Sequence, residues 1–363
     1  MSKILILANH YNTLRIFRRE LIKELVKAGN TVLVSIPPTD EENIKLLESY
    51  GCRVIITEMN RRGIDPSSDF SLLIRYLNLL RKTNPDKVIT YTIKPNIYGS
   101  LACKIKKKDY FVNVTGLGSA FYLSSLLKKL VVFLYKISVD KAKKVFFENV
   151  GNRSLFTQTQ IIPLEKTIVM PGAGVNLYDF PFCEYPPDGI VRFLFIGRIM
   201  KEKGVDELFY AIKRLKPRYD AIEFGFIGWY EDNYKDIVAD LENRRLIKYY
   251  GFQPDVKPYI KRAHCIILPS YHEGMSNTLL ESASMGRPLI TSNIYGCKEA
   301  VIEGKSGLLA NVKDNIDLYL KIKQFIELPY KVKVKMGQLA RRHMEASFDK
   351  HKVVEMTLKE LTM

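Results

Sequence analysis

The sequence predicts an α/β protein of two Rossmann-like domains, each built on a parallel sheet. Three observations carry this. Short apolar runs alternate with stretches of helical period, the rhythm of βα units. The rhythm lapses once, over residues 160–188, and then resumes. A length of 363 residues also suits two domains of ordinary size. At 47% hydrophobic and 26% charged, the chain is globular, which excludes a collagenous or disordered protein.

The first series of strand candidates is 4–7, 31–36, 53–56, 88–92, 110–114 and 144–147. Between them lie helical stretches at 15–28, closed by Gly29, and at 69–83, 96–107 and 124–141. Gly51 ends a further helix before 53–56. The lapse holds Pro163, Pro171, Pro181, Pro186 and Pro187, which break any helix and mark a linker. The second series has strands at 191–196, 221–227, 247–250, 265–268 and 288–291. Its helices fall at 204–216, 234–243, 256–263, 276–285 and 314–327, and residues 330–361 read as two more. The expected domains are therefore 1–165, a linker at 166–190, and 191–345. The final helix, 346–363, is a candidate to return to the first domain. Two such domains facing each other would form a cleft at the carboxyl ends of their strands, where open α/β sheets bind ligands. Ala8-Asn9-His10-Tyr11-Asn12 follows the first strand in place of G-x-G-x-x-G, which disfavours a dinucleotide oxidoreductase.

Five scattered cysteines (Cys52, Cys103, Cys183, Cys265, Cys297) form no C-x-x-C pair, and no His/Cys cluster exists. They read as buried thiols in a reducing compartment, with no metal expected. The N-terminal apolar run is too short for a signal peptide, and no uncharged stretch reaches the roughly 18 residues that span a bilayer. A cytoplasmic protein is expected.

Net charge is +17, and it is concentrated. Between Arg75 and Lys144 stand fifteen Lys or Arg against three acids, Asp86, Asp109 and Asp140. Such an excess suits a polyanionic partner. No zinc finger, RNP motif or basic heptad accompanies it, so nucleic acid is disfavoured. Residues 123–144 alternate Leu126, Leu127, Leu130, Phe133, Leu134 and Ile137 with lysines, and Lys104, Lys106, Lys107 and Lys108 form a second group. The expectation is an apolar stripe mostly in the core, with the lysines facing an anionic membrane.

The chemistry concentrates in two βα loops of the second domain. In the first, Gly197-Arg198 and Lys203-Gly204 bracket the turn after 191–196, where two cations can neutralise a diphosphate without magnesium. In the second, Glu273-Gly274-Met275-Ser276-Asn277 leads to Glu281 and opens a helix. Ser276 or Asn277 is the candidate cap, and the amides from Gly274 to Asn277 are candidate donors at its positive end. Taken singly, either loop also reads as solvated charge.

Together the loops resemble the retaining glycosyltransferases of family 4, which have the GT-B fold. Their G-R-x4-K-G stands here as Gly197-Arg198…Lys203-Gly204, and their E-G-x6-E as Glu273-Gly274…Glu281. The run from Val169 to Asn176 resembles the family's entry into its second domain. The resemblance implies that Arg198 and Lys203 bind the diphosphate of a UDP-sugar, and Glu281 the ribose hydroxyls. Glu273 would offset oxocarbenium charge while the Gly274–Asn277 segment holds the sugar. It implies no cofactor, no metal and no catalytic nucleophile, a donor phosphate oxygen taking the acceptor's proton.

In the first domain, Thr92-Ile93-Lys94-Pro95-Asn96-Ile97-Tyr98-Gly99 and Asn113-Val114-Thr115-Gly116-Leu117-Gly118 resemble a narrower group. Its members extend undecaprenyl-diphosphate-linked sugars in bacterial O-antigen, capsule and N-glycan assembly, and include the bacillosaminyl-diphospho-undecaprenol N-acetylgalactosaminyltransferases. The resemblance implies transfer of a hexose or N-acetylhexosamine to a polyprenyl-diphosphate saccharide at the inner face of the cytoplasmic membrane. Lys94, Asn96, Thr115, Gly116 and Gly118 are the acceptor candidates. Many family members carry a Gly-Gly pair after the first strand and a later first-domain histidine. This chain lacks both, which leaves His10 as the candidate replacement. A GT-B nucleotide-sugar epimerase is the alternative reading.

Overall fold

The computed structural model describes residues 1–60, 65–117 and 125–362. They form two compact units: Met1–Ala173 with His351–Met363, and Gly174–Lys350.

The first unit holds seven strands: β1 (Lys3–Leu7), β2 (Thr31–Ile36), β3 (Arg53–Ile56), β4 (Lys87–Tyr91), β5 (Asp109–Val114), β6 (Lys144–Phe147) and β7 (Thr167–Val169). All pairings are parallel, in the order β3-β2-β1-β4-β5-β6-β7. The sequence places 167–169 in the linker, but these residues are the seventh strand. A three-residue strand between two proline-bearing turns is too short to show periodicity.

Alternate residues of the central strand serve the two faces. Leu5 and Leu7 enter one apolar core, Ile4 and Ile6 the other. The first core is covered by α4 (Pro66–Thr83), α5 (Ser100–Ile105), α6 (Ser125–Val139) and α7 (Val150–Gln158). Helix α4 starts on Asp65, whose carboxylate accepts from the amides of Ser67 and Ser68, with Pro66 at the first helical position. The second core takes α1 (Tyr11–Phe17), α2 (Arg19–Lys27) and α3 (Glu41–Glu48). From the far end of the sequence it takes α14 (Lys350–Thr362), through Val353, Val354 and Leu361.

Two expected helices are interrupted. The stretch 15–28 breaks at Arg18, whose side chain turns inward to Glu148 (3.1 Å) and over the Tyr91 ring (4.6 Å). Residues Pro95–Gly99 form a π-helical turn before α5, with Pro95 at its first position.

The second unit has β8 (Val191–Ile196), β9 (Ile222–Ile227), β10 (Lys248–Tyr249), β11 (Cys265–Leu268), β12 (Leu289–Ser292) and β13 (Gly307–Ala310), parallel in the order β10-β9-β8-β11-β12-β13. Strand β13 carries no sequence signal beyond three apolar residues after a glycine. Helices α8 (Val205–Leu215), α9 (Lys235–Asn243), α10 (Lys257–Arg262), α11 (Asn277–Ser284), α12 (Asn315–Glu327) and α13 (Tyr330–Ser347) enclose one core. Most of the expected linker also packs here. Fully buried Arg287 donates to the carbonyls of Cys183 (3.0 Å) and Glu184 (3.0 Å), and Ser284 donates to Phe180 O (2.6 Å). Proline removed the periodicity without freeing the segment. Among the described residues no helix is long and apolar enough to cross a membrane.

Candidate active site

The candidate donor site is assembled at the carboxyl ends of β8, β9, β11 and β12. After β8, Gly197 and Arg198 lead into a 3-10 turn, Lys201–Lys203, and then Gly204. Gly204 has φ +69°, and a Cβ there would lie 2.1 Å from Pro269 O. Only glycine permits this left-handed turn to press on the neighbouring loop. The seam is reinforced by Tyr271 N donating to Glu202 O (2.8 Å) and Tyr271 Oη donating to Glu207 (2.8 Å). Burial, with the hydrogen bond to Glu207, raises the Tyr271 phenol well above its ordinary value, so it stays a donor.

That seam brings Lys203 to Glu273. The Lys203 ammonium donates to Glu273 Oε1, and Ser270 Oγ donates to the same oxygen at 2.8 Å. Both partners of the ion pair are mostly buried, at 17% and 14% side-chain exposure, where charge is poorly screened. Arg198 is more open, with Nη1 3.5 Å from Glu231 Oε2; Trp229 Nε1 donates to that same oxygen (3.3 Å). Burial lowers the His272 imidazole below its usual range, against the pull of Glu273, so it is neutral at pH 7.

The loop from Glu273 to Ser276 lies on the turn after β12. A Cβ on Gly296 would meet Gly274 O at 2.6 Å and Glu273 O at 2.7 Å. Ser276 is the cap residue of α11, but its side chain makes no cap bond, and its amide donates to Gly296 O at 2.9 Å. This corrects the expected cradle of four amides: that of Ser276 is committed within the unit. Met275 and Ser276 are buried, and Asn277 Nδ2 donates to Met275 O at 3.5 Å. Glu281, on the second turn of α11, is half-buried. Its carboxyl is pushed up to about 7 by burial, with Lys350 opposing, and takes no hydrogen bond among the described residues. A desolvated carboxylate of this kind suits ligand hydroxyls. Sequence reasoning gave no role to Ser270 or Glu231; their only signal is proximity to Glu273 and to the end of β9.

In the first unit the acceptor candidates divide. Lys94 is drawn into a buried ion pair with Asp69 (2.7 Å), whose second oxygen accepts from Tyr98 Oη (3.0 Å). It braces α4 rather than standing open for a diphosphate. Asn96 is also internal, its amide donating to Asn113 O (2.8 Å) and its carbonyl accepting from Thr90 Oγ1 (2.8 Å). Thr115 and Gly116 follow β5, half-buried, with Gly116 at φ +158°. Gly118 lies outside the described residues. His10 caps α1, Nδ1 accepting from Asn12 N at 3.1 Å, and its ring lies tilted against Tyr11, centroids 4.9 Å apart. Among the described residues no group of His, Cys, Asp and Glu is arranged to hold a metal ion. The five cysteines are free thiols.

Two parallel Rossmann-like units, the second with a cation–carboxylate site at its strand ends, define the GT-B class. Comparison with known proteins sharpens this. Residues 3–149 match the glycosyl transferase 4-like model and residues 186–343 the glycosyl transferases group 1 model. A Campylobacter jejuni protein, N,N'-diacetylbacillosaminyl-diphospho-undecaprenol alpha-1,3-N-acetylgalactosaminyltransferase, is 28% identical over 330 residues, 86% of each chain. The Staphylococcus aureus capsular polysaccharide biosynthesis glycosyltransferase CapM is 23% identical over 84% of this chain and 83% of its own. Among solved structures, Anabaena Alr3699/HepE in complex with UDP and glucose superposes with a TM-score of 0.80 over 100% of both chains at 17% identity. The chain belongs to the group 1, family 4-like glycosyltransferases.

Proposed function

We propose that the protein transfers a hexose or N-acetylhexosamine from a UDP-sugar to a polyprenyl-diphosphate-linked saccharide of a bacterial surface polysaccharide, with retention of anomeric configuration and without metal. The observation that carries the donor half is the Lys203–Glu273–Ser270 cluster, held by the Gly204–Pro269 seam at the end of the loop that Arg198 opens. Lys203 and Arg198 supply positive charge for the departing diphosphate, the role a metal ion fills elsewhere. Glu273 supplies the opposite charge for a developing oxocarbenium ion. Glu281 accepts from ribose hydroxyls. The acceptor half is supported by the relative whose name specifies a diphospho-undecaprenol substrate. The acceptor contacts then fall to Thr115, Gly116 and His10, with Lys94 and Asn96 shaping the segment behind them.

The test is a screen of UDP-sugars against undecaprenyl-diphosphate saccharides, with product structure and anomeric configuration read by NMR. Product is expected only when acceptor is present, of unchanged configuration, and in full yield with excess EDTA. Sugar isomerised without acceptor would identify an epimerase instead. An inverted product or strict dependence on divalent metal would overturn retention or the charge-neutralisation argument.

A further inference from the structure

One side of the first unit is unusual. Its outer layer consists of α4, α5 and α6, with α5 packed against both neighbours. Each helix sends one face into the core: Leu72, Tyr76, Leu79 and Leu80 from α4, Ala102 and Cys103 from α5, and Val131, Tyr135 and Val139 from α6. Their outward faces are also apolar. On α6, Leu126 (80% exposed), Leu130 (44%) and Phe133 (58%) recur at i, i+4 and i+7, a single stripe opposite the core-facing one. Ile105 on α5 and Phe70 and Ile74 on α4 are exposed as well. The expected stripe, mostly in the core, is thus divided: Val131, Tyr135 and Val139 face the core, while Leu126, Leu130 and Phe133 form a second apolar stripe on the outer side of α6.

The charges around this stripe are uncompensated. The acids Asp109 and Asp140 pair with Lys143 and Lys104, and Asp86 accepts from the amide of Lys3. Exposed Arg81, Lys82, Lys106, Lys107, Lys129 and Lys136 have no ion pair among the described residues. Exposed aliphatic and aromatic side chains set among unpaired cations match the headgroup and upper acyl region of an anionic bilayer. Two rigid apolar surfaces meeting would instead leave those cations opposed to one another, so a second copy of the chain is a poor fit.

We propose that the outer face of α4, α5 and α6 is a membrane-docking surface, on which Leu126, Leu130 and Phe133 insert while the flanking lysines bind acidic headgroups. The inference deepens the reading of a lipid-linked acceptor, but its test uses no turnover, so either can fail alone.

The experiment is vesicle sedimentation of the full chain with phosphatidylcholine alone and with about one third phosphatidylglycerol, at low and high salt. Two variants are compared: Leu126→Ser/Leu130→Ser/Phe133→Ser and Lys106→Gln/Lys107→Gln/Lys129→Gln/Lys136→Gln. All substituted side chains are solvent-facing, and circular dichroism with a melting curve checks that both variants fold. The wild type is expected to prefer anionic vesicles and to keep part of its binding at high salt. The serine variant should lose about tenfold or more in partitioning and all of the salt-resistant part, and the glutamine variant should lose the anionic preference. Phe133→Trp should shift its emission to the blue with anionic vesicles. Equal binding of the serine variant and the wild type, or no preference for anionic lipid, overturns the proposal. So does a wild-type dimer that the serine variant abolishes while vesicle binding is absent.

Discussion

Lys203 and Glu273 stand seventy positions apart in sequence and meet as a mostly buried ion pair, with Ser270 on the same carboxylate oxygen. Each therefore limits the other. The ammonium proposed for the diphosphate is already held by a carboxylate, and the carboxylate proposed for the sugar is already paired with a cation. Donor binding has to exchange these partners, and the two residues become separable by experiment.

Lys203→Ala should lower transfer by about two to three orders of magnitude and weaken UDP binding, since it removes charge from the diphosphate. Glu273→Gln should lower transfer comparably yet leave UDP binding equal or tighter, because Lys203 loses its competitor. Titration calorimetry with UDP beside initial rates distinguishes the two. Weaker UDP binding in Glu273→Gln would contradict the exchange.

Glu281 gives a pH signature. Its carboxyl, raised to about 7, binds protons in the folded state that an unfolded carboxyl would already have released. Stability from this group is thus full below about 4.5 and declines as pH rises toward 7. Donor binding runs the other way, since ribose hydroxyls need the charged acceptor. UDP affinity is expected to rise between pH 6 and 8, and Glu281→Gln should flatten that rise while raising the melting temperature at pH 8. An unchanged pH profile in Glu281→Gln would remove the residue from the site.

Asp69 holds Lys94 and Tyr98 in the interior of the first unit. Asp69→Ala strands a buried ammonium, and its cost should be about 3–5 kcal/mol. Lys94→Met should cost less and leave the kcat of the folded enzyme close to wild type. A large loss of kcat with normal stability would return Lys94 to the acceptor.

Gly204→Ala combines a left-handed φ with a Cβ 2.1 Å from Pro269 O. Destabilisation of roughly 2–4 kcal/mol is expected, together with a raised KM for donor, because the Lys203 loop cannot keep its seam. A thermal melt and a donor titration check both; no change in either would contradict the packing.

Periodicity revealed the strands of both units except Thr167–Val169 and Gly307–Ala310, and the two glutamates and two cations of the donor loops stood out through the family pattern that both loops match together, each loop alone reading as solvated charge. What escaped was what tertiary packing decides. Thr167–Val169 is too short for a pattern, and Gly307–Ala310 opens on a glycine with only three apolar residues behind it; both become strands because a neighbour offers a free edge. The break at Arg18 depends on Glu148, 130 positions away. Lys94 looked like an open cation because nothing local announces Asp69. The amides of the Glu273 loop looked equivalent until Gly296 O claimed that of Ser276. The direction of the apolar side chains on α6 was likewise ambiguous, since a helix that is apolar on two sides has no single inward face.

The packing of Val353, Val354 and Leu361 into the core of the first unit also governs the order in which the chain can mature. During synthesis, residues 1–173 emerge first but lack part of their own interior until α14 follows. Every residue of the second unit is available sooner than that. The usual vectorial sequence, with the earlier domain finished first, is therefore inverted here. The later unit can complete its fold while the earlier one waits, with α1, α2 and α3 covering only part of one face of its sheet, for α14 to be made.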